Sequence, residues 1–240
     1  MTTSGSTVYN PVLNEVINRA MRMVGGYSSG NTPRPEQQQD ALSILNMMLK
    51  AWQADGFQWL KSIFVLPLDG GVYHYYLGPD GTAQYWPELE TTINRPTRIW
   101  NLRRLNLSGY EVPIEMVSRS DYMMLPNKLS IGTVVQAYYD PQLVNGQLFV
   151  WPRPGDGVTD KIIGDCDRTL QDMVSDTDTF DLPQEWSDAL SFCLAERLWW
   201  EYPDNAASYQ MLAQRASQGK EVVLNYDREN VSITIGMYRR

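Results

Sequence analysis

Apolar positions recur along this chain with two different periods, and the period switches twice. Leu13, Val16, Ile17, Ala20 and Val24 stand three or four residues apart and make one helical stripe. Asn10 and Pro11 precede it, a capping side chain and a proline suited to a first turn; Gly25 and Gly26 stop it. The pattern predicts a first helix at about 11–24. A loop rich in Ser, Gly and Asn leads to "PRPEQQQDALSILNMMLKAWQADG". Ala41, Leu42, Leu45, Met48, Leu49 and Trp52 form a wide stripe there, with Pro35 near its start and Gly56 just past its end. This predicts a second helix at about 35–54.

From Lys61 the period shortens. "KSIFVLPL", "GVYHYYLG", "TRIWNLRRL", "EVPIEMVS", "TVVQAYYDP", "GQLFVWP" and "DKIIGDCDRTL" are short runs of Ile, Val and aromatics separated by Gly, Pro, Asn and Asp. They predict strands of an antiparallel sandwich or barrel, with "RSDYMMLPN" as one helical turn among them.

The helical period returns at Asp181. Asp181 and Gln184 have capping-box spacing, and Trp186, Ala189, Leu190, Cys193, Leu194 and Leu198 fall on one side of a third helix that Pro203 ends. Asp204 is placed to cap a fourth helix running to about 226, whose Ala206, Ala213 and Ala216 allow close approach to a neighbour. Then "NVSITIGMYRR" alternates Val231, Ile233, Ile235 and Met237 against Ser232 and Thr234, a strand with no return strand after it.

Two helices before the strands and two after predict an α+β fold: a four-helix bundle made by the two ends, an inserted antiparallel β-sandwich or barrel, and an extended C-terminal arm. The expected boundaries are 1–57 for the first half of the bundle, 58–180 for the β-domain, 181–227 for the second half and 228–240 for the arm. Leu45, Met48, Leu49, Trp52, Trp186, Leu190 and Leu194 are the expected core of the bundle. Trp52 is expected to press on the helices beginning near Pro11, Pro183 and Asp204.

Composition narrows the function. The 240 residues are 43% hydrophobic, enough for a sizeable core, and carry a net charge of −8. That charge argues against a dedicated nucleic-acid binder, which needs clustered cations. No apolar run is long enough for a membrane span, and MTTSGSTVYNP lacks a signal-peptide pattern, so the expectation is a protein made in the cytosol that does not enter membranes. Cys166 and Cys193 fall in a predicted strand and a predicted helix, as buried thiols rather than a disulfide. Eight Trp and fourteen Tyr against a single histidine, His74, favour contact surfaces over metal or acid–base chemistry, and no cofactor or metal is expected.

No P-loop, CxxC, HExxH or GxSxG motif occurs. Glu88 and Glu90 in "YWPELETT" have the spacing of paired carboxylates beside aromatics, which suits a glycosidase; the plainer reading is two solvated surface acids. Asp176, Asp178 and Asp181 resemble a calcium loop only faintly, lacking its Gly and terminal Glu, and read better as a polar linker. His74 reads as a strand residue among tyrosines, and Trp199 and Trp200 as core or interface. Arg95, Arg98, Arg103 and Arg104 form the densest basic cluster, either a phosphate contact or a salt-bridged surface. The arm carries the expected partner-binding residues Val231, Ile233, Ile235, Met237, Tyr238, Arg239 and Arg240, since a lone alternating strand can add to a partner's sheet edge.

The order of these signals resembles that of bacteriophage head-to-tail adaptor proteins of short-tailed phages. A first helix with Ala and Arg runs into Gly, and the second helix carries Asp40, Ala41, Leu42, Leu45, Asn46, Met48, Leu49, Trp52 and Gly56 in the pattern D-A-L-x-x-L-N-x-M-L-x-x-W-x-x-x-G, with a one-residue allowance at Met. "FVLPLDGGVYHYYLGPDG", with Tyr75 or Tyr76 and then Gly78, is similar to the family's next strand and turn. Trp151, Pro152 and Pro154 in "LFVWPRP" resemble a strand end, and Leu182, Pro183, Ala189, Leu194 and Ala195 resemble its late helix. The resemblance covers about 12–217.

It implies a virion structural protein at the head–tail junction, not an enzyme, forming a homo-oligomeric ring, commonly a dodecamer. Such a ring docks on the portal protein, extends the channel that dsDNA passes through without sequence-specific binding, and offers a docking surface to a tail nozzle or tube protein. A net negative subunit suits such a channel, so the lumen is expected to be mainly acidic. Residues 229–240 are expected to dock on a neighbour or on the portal. Two alternatives come from other classes: a tail-associated peptidoglycan hydrolase using Glu88 or Glu90, and a carbohydrate-binding module built on the aromatic strands.

Overall fold

The structure, a computed structural model, describes residues 5, 9–25, 31–87, 89, 91–175, 177–202 and 209–227. In chain order these contain α1 (Leu13–Met23), α2 (Pro35–Gln53), β1 (Lys61–Pro67), β2 (His74–Leu77), β3 (Gln84–Tyr85), β4 (Arg98–Leu105), β5 (Glu111–Met116), α3 (Arg119–Met124), β6 (Gln136–Asp140), β7 (Gly146–Trp151), β8 (Lys161–Asp167), α4 (Trp186–Leu198) and α5 (Tyr209–Tyr226). They fall into two compact units, one from Met1–Trp59 with Leu170–Arg240, the other Leu60–Thr169.

In the first unit α4 is the shared element. α1, α2 and α5 each pack against it, while α1 only brushes α2. α4 buries Trp186, Ala189, Leu190, Ser191, Cys193, Leu194, Ala195 and Leu198, more than one face of a helix. Leu45, Met48, Leu49 and Trp52 of α2 are buried as well. Trp186 has its ring centroid 5.5 Å from Trp52, 4.6 Å from Phe57 and 6.2 Å from Trp59. On α5, Lys220 lies 5.6 Å over the Trp52 ring. α5 comes so close to α4 that a Cβ at Gly219 would stand 3.4 Å from Ala189 Cα, and the Cys193 thiol donates to the Ala216 carbonyl at 3.6 Å.

A second anchor runs along the polar edge of α2. Asn46, Lys50 and Gln53, at helical spacing, grip the backbone that returns from the β unit. Asn46 Nδ2 donates to the Met173 carbonyl at 2.9 Å while the Met173 N–H donates to Asn46 Oδ1 at 3.0 Å. Lys50 donates to the Leu170 carbonyl at 2.7 Å, and the Leu170 N–H donates to Gln53 Oε1 at 3.2 Å. Asn46→Leu strips two backbone groups of partners, and is expected to cost about 1–3 kcal/mol in urea unfolding. No change in midpoint would show the clamp to be idle.

The architecture departs from the expected four-helix bundle. There are five α-helices among the described residues, with α3 in the β unit, and in the first unit α1, α2 and α5 gather on a central α4. A broad apolar stripe requires a helix to be covered; it does not fix how many neighbours cover it. Two helix starts also differ. α1 begins at Leu13 with Val12 as its cap residue, and no side chain caps it. The Leu13 N–H instead donates to the Asp178 carbonyl at 2.9 Å, so a distant segment satisfies the donor expected to find Asn10. α4 begins at Trp186 after Glu185, so Asp181 is not its cap. The expected cap at Asp204 and the whole 228–240 arm, Val231, Ile233, Ile235, Met237, Tyr238, Arg239 and Arg240 included, lie outside the described residues.

The second unit is one curled eight-stranded sheet in the order β2-β7-β6-β5-β4-β8-β1-β3, not a sandwich or barrel of antiparallel strands. The sheet is mixed because β5 and β6 pair in parallel, Glu115 opposite Gln136. Parallel neighbours require a crossover, and residues 117–135 with α3 supply it. The helical turn expected in "RSDYMMLPN" is α3, but the parallel pairing that it serves was not expected. The inner face buries Phe64, Leu66, Leu77, Ile93, Leu102, Ile114, Ala137, Leu148, Val150, Ile162 and Cys166.

Burial pushes the Cys166 thiol up to about 12 and the Cys193 thiol up to about 11. Thiolate is the reactive form, so both should resist a thiol reagent at pH 8 in the folded protein and react at once in denaturant. Fast stoichiometric labelling without denaturant would contradict the packing around them.

Candidate docking surface

β8 runs between β1 and β4, and the register of these three strands builds the outer face of the sheet row by row. Ile63, Asp165 and Asn101 make one row; Val65, Ile163 and Arg103 the next; Pro67, Lys161 and Leu105 the third. A β-bulge between Ile99 and Asn101 puts Asn101, Arg103 and Leu105 on this face while Ile99 and Leu102 stay in the core. Trp86 and Leu89, from the segment after β3, rise beside the rows and convert the face into an open cleft of about 510 Å³.

The cleft floor is apolar and its border is polar. Trp86 is 54% exposed, while Ile63 and Leu89 are each 39% exposed. Arg103 pairs with Glu111 at 3.1 Å, and Asn101 donates to Asp165 at 3.4 Å. Acid lies at one end of β8's outer row and base at the other, at Asp165 and Lys161. Such a surface can bind an extended segment with alternating apolar side chains, whose backbone finds polar partners along the border.

Two hairpin tips of the same unit are also apolar. Leu107 and Tyr110 stand at the β4–β5 turn, and Leu143 and Val144 at the β6–β7 turn, all largely exposed. Val144 holds φ at 68°, a conformation that a β-branched residue rarely takes. Asn145 braces the tip, donating to Asp80 Oδ2 at 2.7 Å and accepting the Asp80 N–H at 3.1 Å.

The other candidate residues disperse. Glu88, Glu90 and Asp176 lie outside the described residues. Asp178 accepts the N–H groups of Val174 and Ser175 at 2.9 and 2.7 Å, which hold its carboxyl below the usual range and give it a turn-forming task. The arginines do not act as one patch: Arg104 pairs with Asp160 at 2.8 Å, Arg103 with Glu111, Arg98 lies 4.9 Å over Trp100, and Arg95 reaches the Pro141 carbonyl at 3.5 Å. His74 sits in β2 between Tyr76 and Phe149, with centroids 4.7 and 5.1 Å away. Trp199 packs on Trp200 and Tyr209, while Trp200 is 67% exposed. Among the described residues no group of three His, Cys, Asp or Glu is placed to hold a metal, and no helix is long and apolar enough to cross a membrane.

The cleft went unseen in sequence because its parts come from three strands brought into rows by a register and a bulge. Only "YWPELETT" gave a hint, a tryptophan in a polar turn. No family model matches the chain, and no curated protein shows significant similarity to it.

Proposed function

We propose that this chain is a virion structural protein, an adaptor whose copies form a ring beneath a phage portal, continue the DNA channel and hold the tail. The observation that carries this reading is the amount of uncovered apolar ground on the β unit: the cleft beside Trp86 and Leu89 and the two hairpin tips. Contiguous exposed apolar surface marks a protein that acts by contact. The order of sequence motifs from about 12 to 217 supports the phage setting. A ring also needs two different faces on each subunit, joined head to tail with a rotation that closes. The net charge of −8 suits a lumen that is mainly acidic, past which DNA slides.

The test is a mass measurement of the subunit with and without purified portal. The expected result is a monomer or weak oligomer alone and a closed ring in stoichiometric complex with the portal. Unchanged subunit mass in the presence of portal overturns the reading.

One observation favours the hydrolase alternative: the cleft's Trp86 adjoins Glu88 and Glu90 in sequence. Digestion of purified peptidoglycan by the wild type, lost in the Glu88→Gln/Glu90→Gln variant, would establish it. Equal inactivity of the two proteins removes it.

A further inference from the structure

We propose that the cleft over β1, β8 and β4 receives residues 228–240 of a second copy of this chain, laid across it as an extended strand. The inference rests on the adaptor reading, and it names the surface through which neighbours in the ring are tied.

Three properties match. The first is spacing. Rows on the outer face recur every second residue, so the three rows span about 13 Å, the distance from Val231 to Ile235 in an extended chain. Val231, Ile233 and Ile235 therefore meet one row each, and Met237 continues toward Trp86 or beyond the last row. The second is polarity. One side of the segment is apolar at every alternate position while Ser232 and Thr234 occupy the other, and the cleft has an apolar floor with an open, polar border. Asn101, Arg103, Glu111, Lys161 and Asp165 are there to pair with the segment's backbone.

The third is charge. Arg228 and Glu229 precede the apolar run and offset one another, while Arg239 and Arg240 follow it, so the segment's charge lies at its far end. Lys161 and Asp165 stand at opposite ends of the β8 row. The two arginines lie toward Asp165 when the segment runs in the same direction as β8, and toward Lys161 when it is reversed, so the first direction is favoured. Charge thus selects direction, and the alternation selects which side faces down. Reach is sufficient, since thirteen extended residues span ~43 Å, far more than the cleft itself.

The primary experiment titrates a fluorescein-labelled synthetic peptide of residues 228–240 into the full-length protein and follows anisotropy. Saturable binding is expected, weakened at least tenfold by Ile163→Asp and by Trp86→Ala in the protein, and by Ile233→Asp in the peptide. Trp86 is exposed, so its variant keeps the test decisive if Ile163→Asp unfolds. In parallel, benzoylphenylalanine replaces Ile233 in the full chain, and unlabelled and ¹⁵N-labelled copies are mixed before irradiation. Crosslinks between light and heavy copies should land on β1, β4 or β8. Affinity unchanged by both cleft variants, crosslinks elsewhere, or crosslinks confined to one copy each overturn the inference. Failure of the adaptor reading looks different: the peptide then docks in the cleft as described, but no ring forms on the portal.

Discussion

Replacing Trp186 with alanine is expected to remove about 3–5 kcal/mol from the stability of the helical unit. Trp186 is 2% exposed and opens α4, where Trp52, Phe57 and Trp59 all meet it. Truncation removes a fully buried tryptophan side chain and three aromatic contacts, each worth about 0.5–1.5 kcal/mol beyond its area. It also leaves a hole at the junction of α2 and α4, where partners on different elements limit collapse. With a urea dependence of about 2 kcal/mol per molar, the midpoint of the helical ellipticity at 222 nm should fall by about 2 M. Trp186→Phe, which keeps an aromatic in place, should lose less than half as much. A drop below ~0.5 M for the alanine variant would mean that α1 and α5 hold α4 without the cluster. Because total domain stability is commonly about 5–15 kcal/mol, a loss of the expected size should also lower the yield of folded protein.

How much of this was legible in the sequence depends on the range of each interaction. The stripe of α2 declared its helix, and the shift to alternation at Lys61 declared strands, because both patterns are set by neighbours a few residues away. Helix starts were less legible. Asn10 and Asp181 had cap spacing, yet the Leu13 N–H found the Asp178 carbonyl from the far end of the chain. The arrangement of the helices was misjudged for a related reason: the stripe on α4 said that Trp186, Leu190 and Leu194 are covered, while the burial of Ser191 and Ala195 on its other sides is a matter of three neighbours. The parallel pairing of β5 with β6 was hidden too, since nothing local separates a crossover from a long turn.

The cleft was illegible for the strongest reason. Ile63, Ile163 and Arg103 are a hundred residues apart at the extremes, and they share a face only after register is fixed. A one-residue slip in β4 would send Arg103 inward and Leu102 outward. The bulge at Trp100 sets that register, and Trp100 is held by its Nε1–H donating to Asp167 at 2.7 Å, between Lys61 and Arg98.

The same strand supplies the second large effect, at Gly164. It sits in β8 opposite Phe64 on one side and Leu102 on the other, and these two fill the space that its missing side chain leaves. A Cβ there would overlap the Phe64 ring and stand 2.7 Å from Leu102 Cδ2, and both neighbours are buried. Two effects of Gly164→Ala oppose each other. Restricting the unfolded chain should stabilise by about 0.4–1 kcal/mol. Overpacking a closed core should cost about 1–3 kcal/mol. Phe64 and Leu102 are both buried and must shift to admit the methyl group, so the net change is expected to be destabilising. Phe64→Leu in the same chain should recover part of the loss, giving a coupling of at least ~0.5 kcal/mol in a double-mutant cycle. A Gly164→Ala protein as stable as the wild type would mean that Phe64 turns aside at little cost. The variant also reports on function: Ile163 and Asp165 flank Gly164 on the outer face, so displacement of β8 should weaken binding of the 228–240 peptide even though no residue of the cleft has been changed.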